Sequence, residues 1–170
     1  ILILLIAMFT SSWMTGSDDD RNFGFGLFEF ESSSDAEGES YTFDLSAPEC
    51  DEDDECEDAS VAGTTGMIFL WIAIAAAIAS LVNYVSYSLR SLNNKGTYSS
   101  KIGMITAFVS GGLAIIGSIT WLIMFPDYES FEYIDRSLSA GLSFYMAIIG
   151  GLACIGAGFC DLMSGRKQSV

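Results

Sequence analysis

Four apolar runs divide the chain, and most of its charge lies between them. The first, residues 1–15, is almost uninterrupted from Ile1 to Met14, and the others cover 66–89, 102–125 and 138–163. A helix rises ~1.5 Å per residue, so ~20 apolar residues cross ~30 Å of hydrocarbon. The last three runs meet that length and are read as transmembrane helices. The first is shorter and has no methionine at its start. It is read as a membrane helix whose opening turns are missing, in preference to the apolar core of a signal peptide.

Between the first two runs, the pattern changes to a period of two. Tyr41, Phe43 and Leu45 alternate with Thr42, Asp44 and Ser46, which predicts a strand with one buried face. From Asn22 to Glu31, Phe23, Phe25 and Leu27 share one parity and Phe28 and Phe30 the other, which predicts a bulge or sharp twist near Gly26 and Leu27. Ser32 to Ser40 has the composition of a solvated hairpin tip. The expected fold is a mainly α membrane protein: a four-transmembrane-helix bundle with a small extracellular β-sheet formed by the first outer segment.

Small residues recur at helical spacing inside the runs. Gly103, Ala107 and Gly111 lie four apart in the third, as do Ser110, Ala114 and Ser118, and Gly150, Cys154 and Gly158 do the same in the fourth. Helices in lipid associate by close approach of small residues, so these ridges are read as seams of the bundle. Cys154 and Cys160 do not share a helix face and are read as small packing residues. Trp13, Tyr84, Tyr87, Trp121 and Phe125 fall at helix ends, the places where aromatic side chains anchor spans at the membrane surface.

Charge adds direction to this plan. Seventeen of the 22 acids lie between Gly16 and Ser60 with one base, Arg21. Arg90, Lys95 and Lys101 occupy 90–101, and Arg166 and Lys167 occupy 164–170. Basic loops are retained in the cytoplasm. This places 16–65 and the short 126–137 connection outside, with both termini cytoplasmic and the plasma membrane as the expected location. No span has a charge near its middle, which disfavours an ion or proton pathway within one copy. A net charge of −15 excludes a nucleic-acid surface, and the absence of histidine excludes imidazole catalysis. No nucleophile motif or phosphate-binding glycine loop is present, so no enzymatic activity is expected.

The order of features resembles the claudin superfamily, which includes the peripheral myelin protein and calcium-channel gamma-subunit groups. Trp13 stands where the first helix is expected to end, Gly26-Leu27-Phe28 follows with phenylalanine in place of the family's tryptophan, and Cys50 and Cys56 come next. Phe125-Pro126, Phe131-Glu132-Tyr133, and Gly141 with Ser143-Phe144-Tyr145 are similar to the family's second outer segment and opening of helix four. One departure is the length between the Gly-Leu-Phe triplet and Cys50, because the family's first cysteine follows within a few residues. A Cys50–Cys56 disulfide would staple a small outer hairpin and add on the order of a couple of kcal/mol.

Eight of the ten residues from Glu49 to Asp58 are acidic. Asp51, Glu52, Asp53, Asp54 and Glu55 are expected to attract cations diffusely. Weak calcium association fits this run better than a built metal site, since it lacks regular ligand spacing and a turn glycine. No cofactor is expected. The resemblance implies a non-enzymatic interaction protein whose partners are membrane lipids and either itself or other integral membrane proteins. It would act as a self-assembling junction-type protein or as an auxiliary subunit. Phe23, Phe25, Leu27, Phe28, Phe30, Tyr41 and Phe43, with Tyr128, Phe131 and Tyr133 of the second segment, are the expected partner contacts. Two alternatives are a cation-selective pore lined by carboxylates in an oligomer and a calcium-dependent surface adhesion protein.

Overall fold

The computed structural model describes residues 1–18, 21–34, 40–44, 54–92, 101–125 and 139–166. Helices α1 (Leu2–Phe9), α2 (Asp54–Leu92), α3 (Lys101–Met124) and α4 (Leu142–Arg166) hold most of them. Strands β1 (Met14–Asp18), β2 (Arg21–Phe25), β3 (Glu29–Ser34), β4 (Ser40–Asp44) and β5 (Ser139–Ala140) form one antiparallel sheet in the order β4-β3-β2-β1-β5. Cys50, Asp51, Glu52, Asp53, Tyr128, Phe131 and Tyr133 lie outside the described residues.

Among the described residues, three helices are long and apolar enough to cross a membrane, with candidate spans Asp58–Ser86, Lys101–Met124 and Leu142–Met163. Described α1 has eight residues and extends only about 12 Å. The first apolar run is not one helix through Met14, because Met14 and Thr15 already belong to β1. Thr10 turns extended, and the carbonyls released at the end of α1 are taken up locally. The Thr10 hydroxyl donates to the Ile6 carbonyl (3.0 Å) and the Trp13 indole N–H to that of Ala7 (2.6 Å).

At 39 residues, α2 is about 58 Å long and overshoots any bilayer. It begins at Asp54 and not near 66, because a run of acids is favourable where the positive end of the helix dipole lies. Pro126 comes two residues after the last residue of α3, Met124, and disfavours its continuation. The fourth apolar run also divides: Ser139–Ala140 pair with Thr15 and Met14 as β5, and α4 starts only at Leu142.

The parity switch between Phe25 and Phe28 is a reversal and not a bulge. Asn22 to Glu31 is two strands, β2 and β3, joined by a tight connection in which the Gly26 N–H donates to the Glu29 carbonyl (2.7 Å). β3 and β4 form the next hairpin, with Ser33 opposite Ser40, as the polar tip composition implies.

Helix α1 packs on α4 and α2, α2 on α3, and α3 on α4. The small-residue ridges serve these seams. A Cβ at Gly111 would collide with the Gly151 carbonyl oxygen, so the backbones of α3 and α4 touch there. Gly150 receives Leu4 of α1, Gly158 lies against the Phe108 ring, and Gly103 faces Asn83 and Ser80 of α2. Ala107 is buried, and the Ser110 hydroxyl, close to Cys154, donates to the Ala73 carbonyl (2.7 Å). Gly111→Ala is expected to cost about 2 kcal/mol by wedging backbone from backbone. Unfolding of the detergent-solubilised chain, followed by circular dichroism, measures this; an unchanged midpoint would contradict the contact.

Candidate interaction surface

Directly paired residues of an antiparallel sheet share a face, so the register sorts the sheet into two unlike sides. On one side Ala140, Met14, Phe25 and Phe30 form an apolar row, and Phe43 holds the register position that follows on β4. The next row on that side is Gly16, Phe23, Ser32 and Tyr41. The other side carries Thr15, Ser17, Asn22, Gly24, Glu29, Glu31, Ser33, Ser40, Thr42, Asp44 and Ser139, with no apolar side chain among them. Glu29 stands directly opposite Asp44 in the register.

The apolar row seats the sheet on the helices at its β1–β2 end. Phe25 packs edge-on against Phe125 (5.2 Å between centroids) and lies 4.7 Å from Phe30. Trp13 and Trp121 are both fully buried and meet at 5.1 Å, and Phe144 meets Trp13 edge-on at 6.3 Å. Trp13, Trp121 and Phe125 are therefore core residues beneath the sheet and not surface anchors, whereas Tyr84, on the far half of α2, is exposed. The connection Thr10–Trp13 is clamped from both sides. The Trp13 N–H donates to the Phe25 carbonyl (2.8 Å), the Gly141 N–H donates to the Trp13 carbonyl (2.8 Å), and the Ser143 N–H donates to that of Ser12 (3.0 Å). The Thr10 and Ser143 hydroxyls bond to each other.

Gly26-Leu27-Phe28 is the tip of the β2–β3 hairpin, and it docks. The Leu27 carbonyl lies against Gly63 of α2, its side chain reaches Gly66, and Phe28 stacks on Phe9 of α1 (6.3 Å). This contact fixes the level of the sheet, so α2 from Asp54 to about Gly66 rises beside it.

The expected contact residues thus separate. Phe25 is 4% exposed and Leu27 3%, both taken by the core, and neither is available to a partner. Phe23, Phe28 and Phe30 are half-buried, with Phe23 and Phe30 stacked at 6.1 Å. Tyr41 is 64% exposed, and Phe43 holds the register position opposite Phe30 on the edge strand. Asp54, Glu55 and Cys56 occupy the first turn of α2. The pairing of Cys56 with Cys50 falls outside the described residues, and Cys154 and Cys160 form no disulfide.

Sequence reasoning passed over Glu29 and Glu31, which the register brings onto one face. The Ser11 hydroxyl donates to the Glu31 carboxylate (2.7 Å), tying that face to the α1–β1 connection. Their alternation with Phe30 was the available signal. Among the described residues, no three Asp, Glu or Cys side chains converge as metal ligands. The chain matches no protein-family model and no curated protein.

Proposed function

We propose that this chain is a non-enzymatic, claudin-like integral membrane protein that acts through protein contacts of its acidic sheet. It either self-assembles as a junction-type protein or serves as an auxiliary subunit of a membrane complex. The observation that carries this reading is the role of the residues behind the resemblance. Trp13 and Gly26-Leu27-Phe28 are the ones that lock the sheet to the helices. A sheet held rigidly at the end of a bundle, apolar toward its support and acidic away from it, is built to present a surface.

The sheet faces outward in this reading. Arg90, Lys101 and Arg166 all sit at the helix ends remote from it, as cytoplasmic retention of basic residues requires. Both termini are then cytoplasmic, and the plasma membrane is the natural location. α1 packs against α4 and α2 and leaves Leu2, Ile6 and Phe9 exposed, which supports a membrane-facing fourth helix.

The test is the mass and subunit composition of the complex extracted from native membrane in mild detergent, with calcium and with chelator. A multimer of this chain alone establishes self-assembly, and a stoichiometric foreign subunit establishes the auxiliary role. A lone monomer under both conditions would remove the proposal.

A further inference from the structure

β4 (Ser40–Asp44) is the outermost strand of the sheet, and among the described residues no strand pairs with its outer side. The opposite edge is managed differently: β5 has two residues, and the Gly141 and Ser143 N–H groups that follow it bond into the α1–β1 connection. An edge strand offers unpaired backbone groups to another chain, and proteins blunt such edges with lysine, proline or bulges. β4 has no lysine or proline, and it runs in unbroken register with β3 over five residue pairs. Ser40, Tyr41, Thr42 and Asp44 are exposed.

The two faces of this edge make different demands on an incoming strand. Tyr41 lies on the apolar side, continuing the row of Phe23, and Phe43 holds the register position opposite Phe30. Ser40, Thr42 and Asp44 lie on the polar side, next to Glu29 and Glu31 of β3. A strand added to β4 stands two strand spacings, about 10 Å, from β3. That is within the combined reach of a lysine and a glutamate. A second copy of this chain would bring Glu29, Glu31 and the acid-rich stretches on either side of its own β4 up to the same charges. A basic segment would neutralise Glu29 and Glu31.

We propose that β4 is a docking edge for an extended segment of a partner protein in which basic and apolar side chains alternate. The basic residues lie on the Thr42 side toward Glu31 and Glu29, and the apolar ones lie on the Tyr41 side. Main-chain hydrogen bonds to β4 give affinity, and the two faces give selectivity. This rests on the reading of the sheet as a contact domain and names its partner's chemistry.

The probe is an eight-residue peptide alternating lysine and valine, added to the full chain in detergent. It is compared with a glutamate–valine peptide and with a fully N-methylated lysine–valine peptide, which keeps the charge and loses the N–H groups. The expected result is binding that slows amide exchange across 40–44. The two control peptides and the double variant Glu29→Gln/Glu31→Gln are expected to weaken binding by about tenfold or more. Equal binding of the N-methylated peptide, unchanged exchange in β4, or a chain already dimeric through a protected β4 would each overturn the proposal. Carbodiimide cross-linking of the native complex separates the two readings. A partner joined elsewhere on the chain refutes the docking edge and leaves the contact reading intact. A chain that extracts alone removes both.

Discussion

Trp13→Ala is expected to destabilise the fold by about 4 kcal/mol, the range for truncating a fully buried tryptophan. Three losses coincide at this position. The ring packs against Trp121 and Phe144 under the sheet, and its removal leaves a cavity walled by rigid aromatic neighbours. The indole N–H caps the Ala7 carbonyl at 2.6 Å at the end of α1, and without it that carbonyl keeps only the longer contact from the Thr10 hydroxyl (3.4 Å). The neighbouring backbone joins β2 to α4, so slack here loosens the sheet from the bundle. Trp13→Phe keeps most of the ring and loses the cap, for which about 1–2 kcal/mol is expected. Trp121 provides the contrast, since its indole nitrogen is buried with no hydrogen-bond partner among the described residues. Trp121→Phe removes an unsatisfied donor and is expected to cost less than Trp13→Phe. Unfolding midpoints in detergent by far-ultraviolet circular dichroism give all three values. Equal costs for the two phenylalanine variants would refute the capping role.

What the sequence made legible follows from how strongly each pattern is over-determined. An apolar run of more than 20 residues has almost one outcome, and α3 matches its expected span within a residue at each end. The alternation of Tyr41 and Phe43 likewise gave β4. The β2–β3 reversal was harder, because a change of parity is the same in a bulge and in a turn. The turn here also carries Leu27 and Phe28 in place of the glycine, asparagine and proline that normally announce one. Those side chains are apolar because the turn is inserted against α1 and α2 and is not left in solvent. The end of α1 was hidden for a related reason. Met14 and Trp13 suit a membrane helix as well as a sheet core, and the Thr10 cap is visible only once Ile6 and Ala7 are known to end a helix.

The interaction surface was legible in its strands and not in its sides. Period-two alternation puts Phe25 and Phe30 in different sets, and only the hairpin register brings them onto one side. Coverage comes from β5 and α4, which clamp the β1 side and leave β4 outermost. Phe25 is consequently core while Tyr41, two strands away, is open. The acids from Asp54 onward were equally ambiguous. Hydrophilicity assigned them to the outer loop, yet negative charge also suits the start of a helix, and α2 begins there.

Gly63→Ala is expected to lower stability by about 3 kcal/mol, although alanine is the better helix former by about 1 kcal/mol. The added methyl group would collide with the Leu27 carbonyl oxygen, a backbone atom of the docked hairpin tip. That carbonyl cannot swing aside, because Gly26 is held to Glu29 and Phe25 to Trp13 by main-chain hydrogen bonds. Leu27→Ala therefore gives no rescue, since the obstruction is not in its side chain. Gly66 lies one turn further along α2 and would meet only side-chain atoms, Leu27 Cδ2 at 3.3 Å and Trp121 Cδ1 at 3.2 Å. Gly66→Ala is expected to change stability by less than 1 kcal/mol as those rings and methyls shift. Gly112 of α3 has no atom within 4 Å of its would-be Cβ, and Gly112→Ala is expected to stabilise by up to about 1 kcal/mol. Helix propensity alone predicts that all three alanines help. A ranking in which Gly63→Ala stabilises as Gly112→Ala does would mean that the hairpin tip does not dock on α2, and the sheet would lose its support.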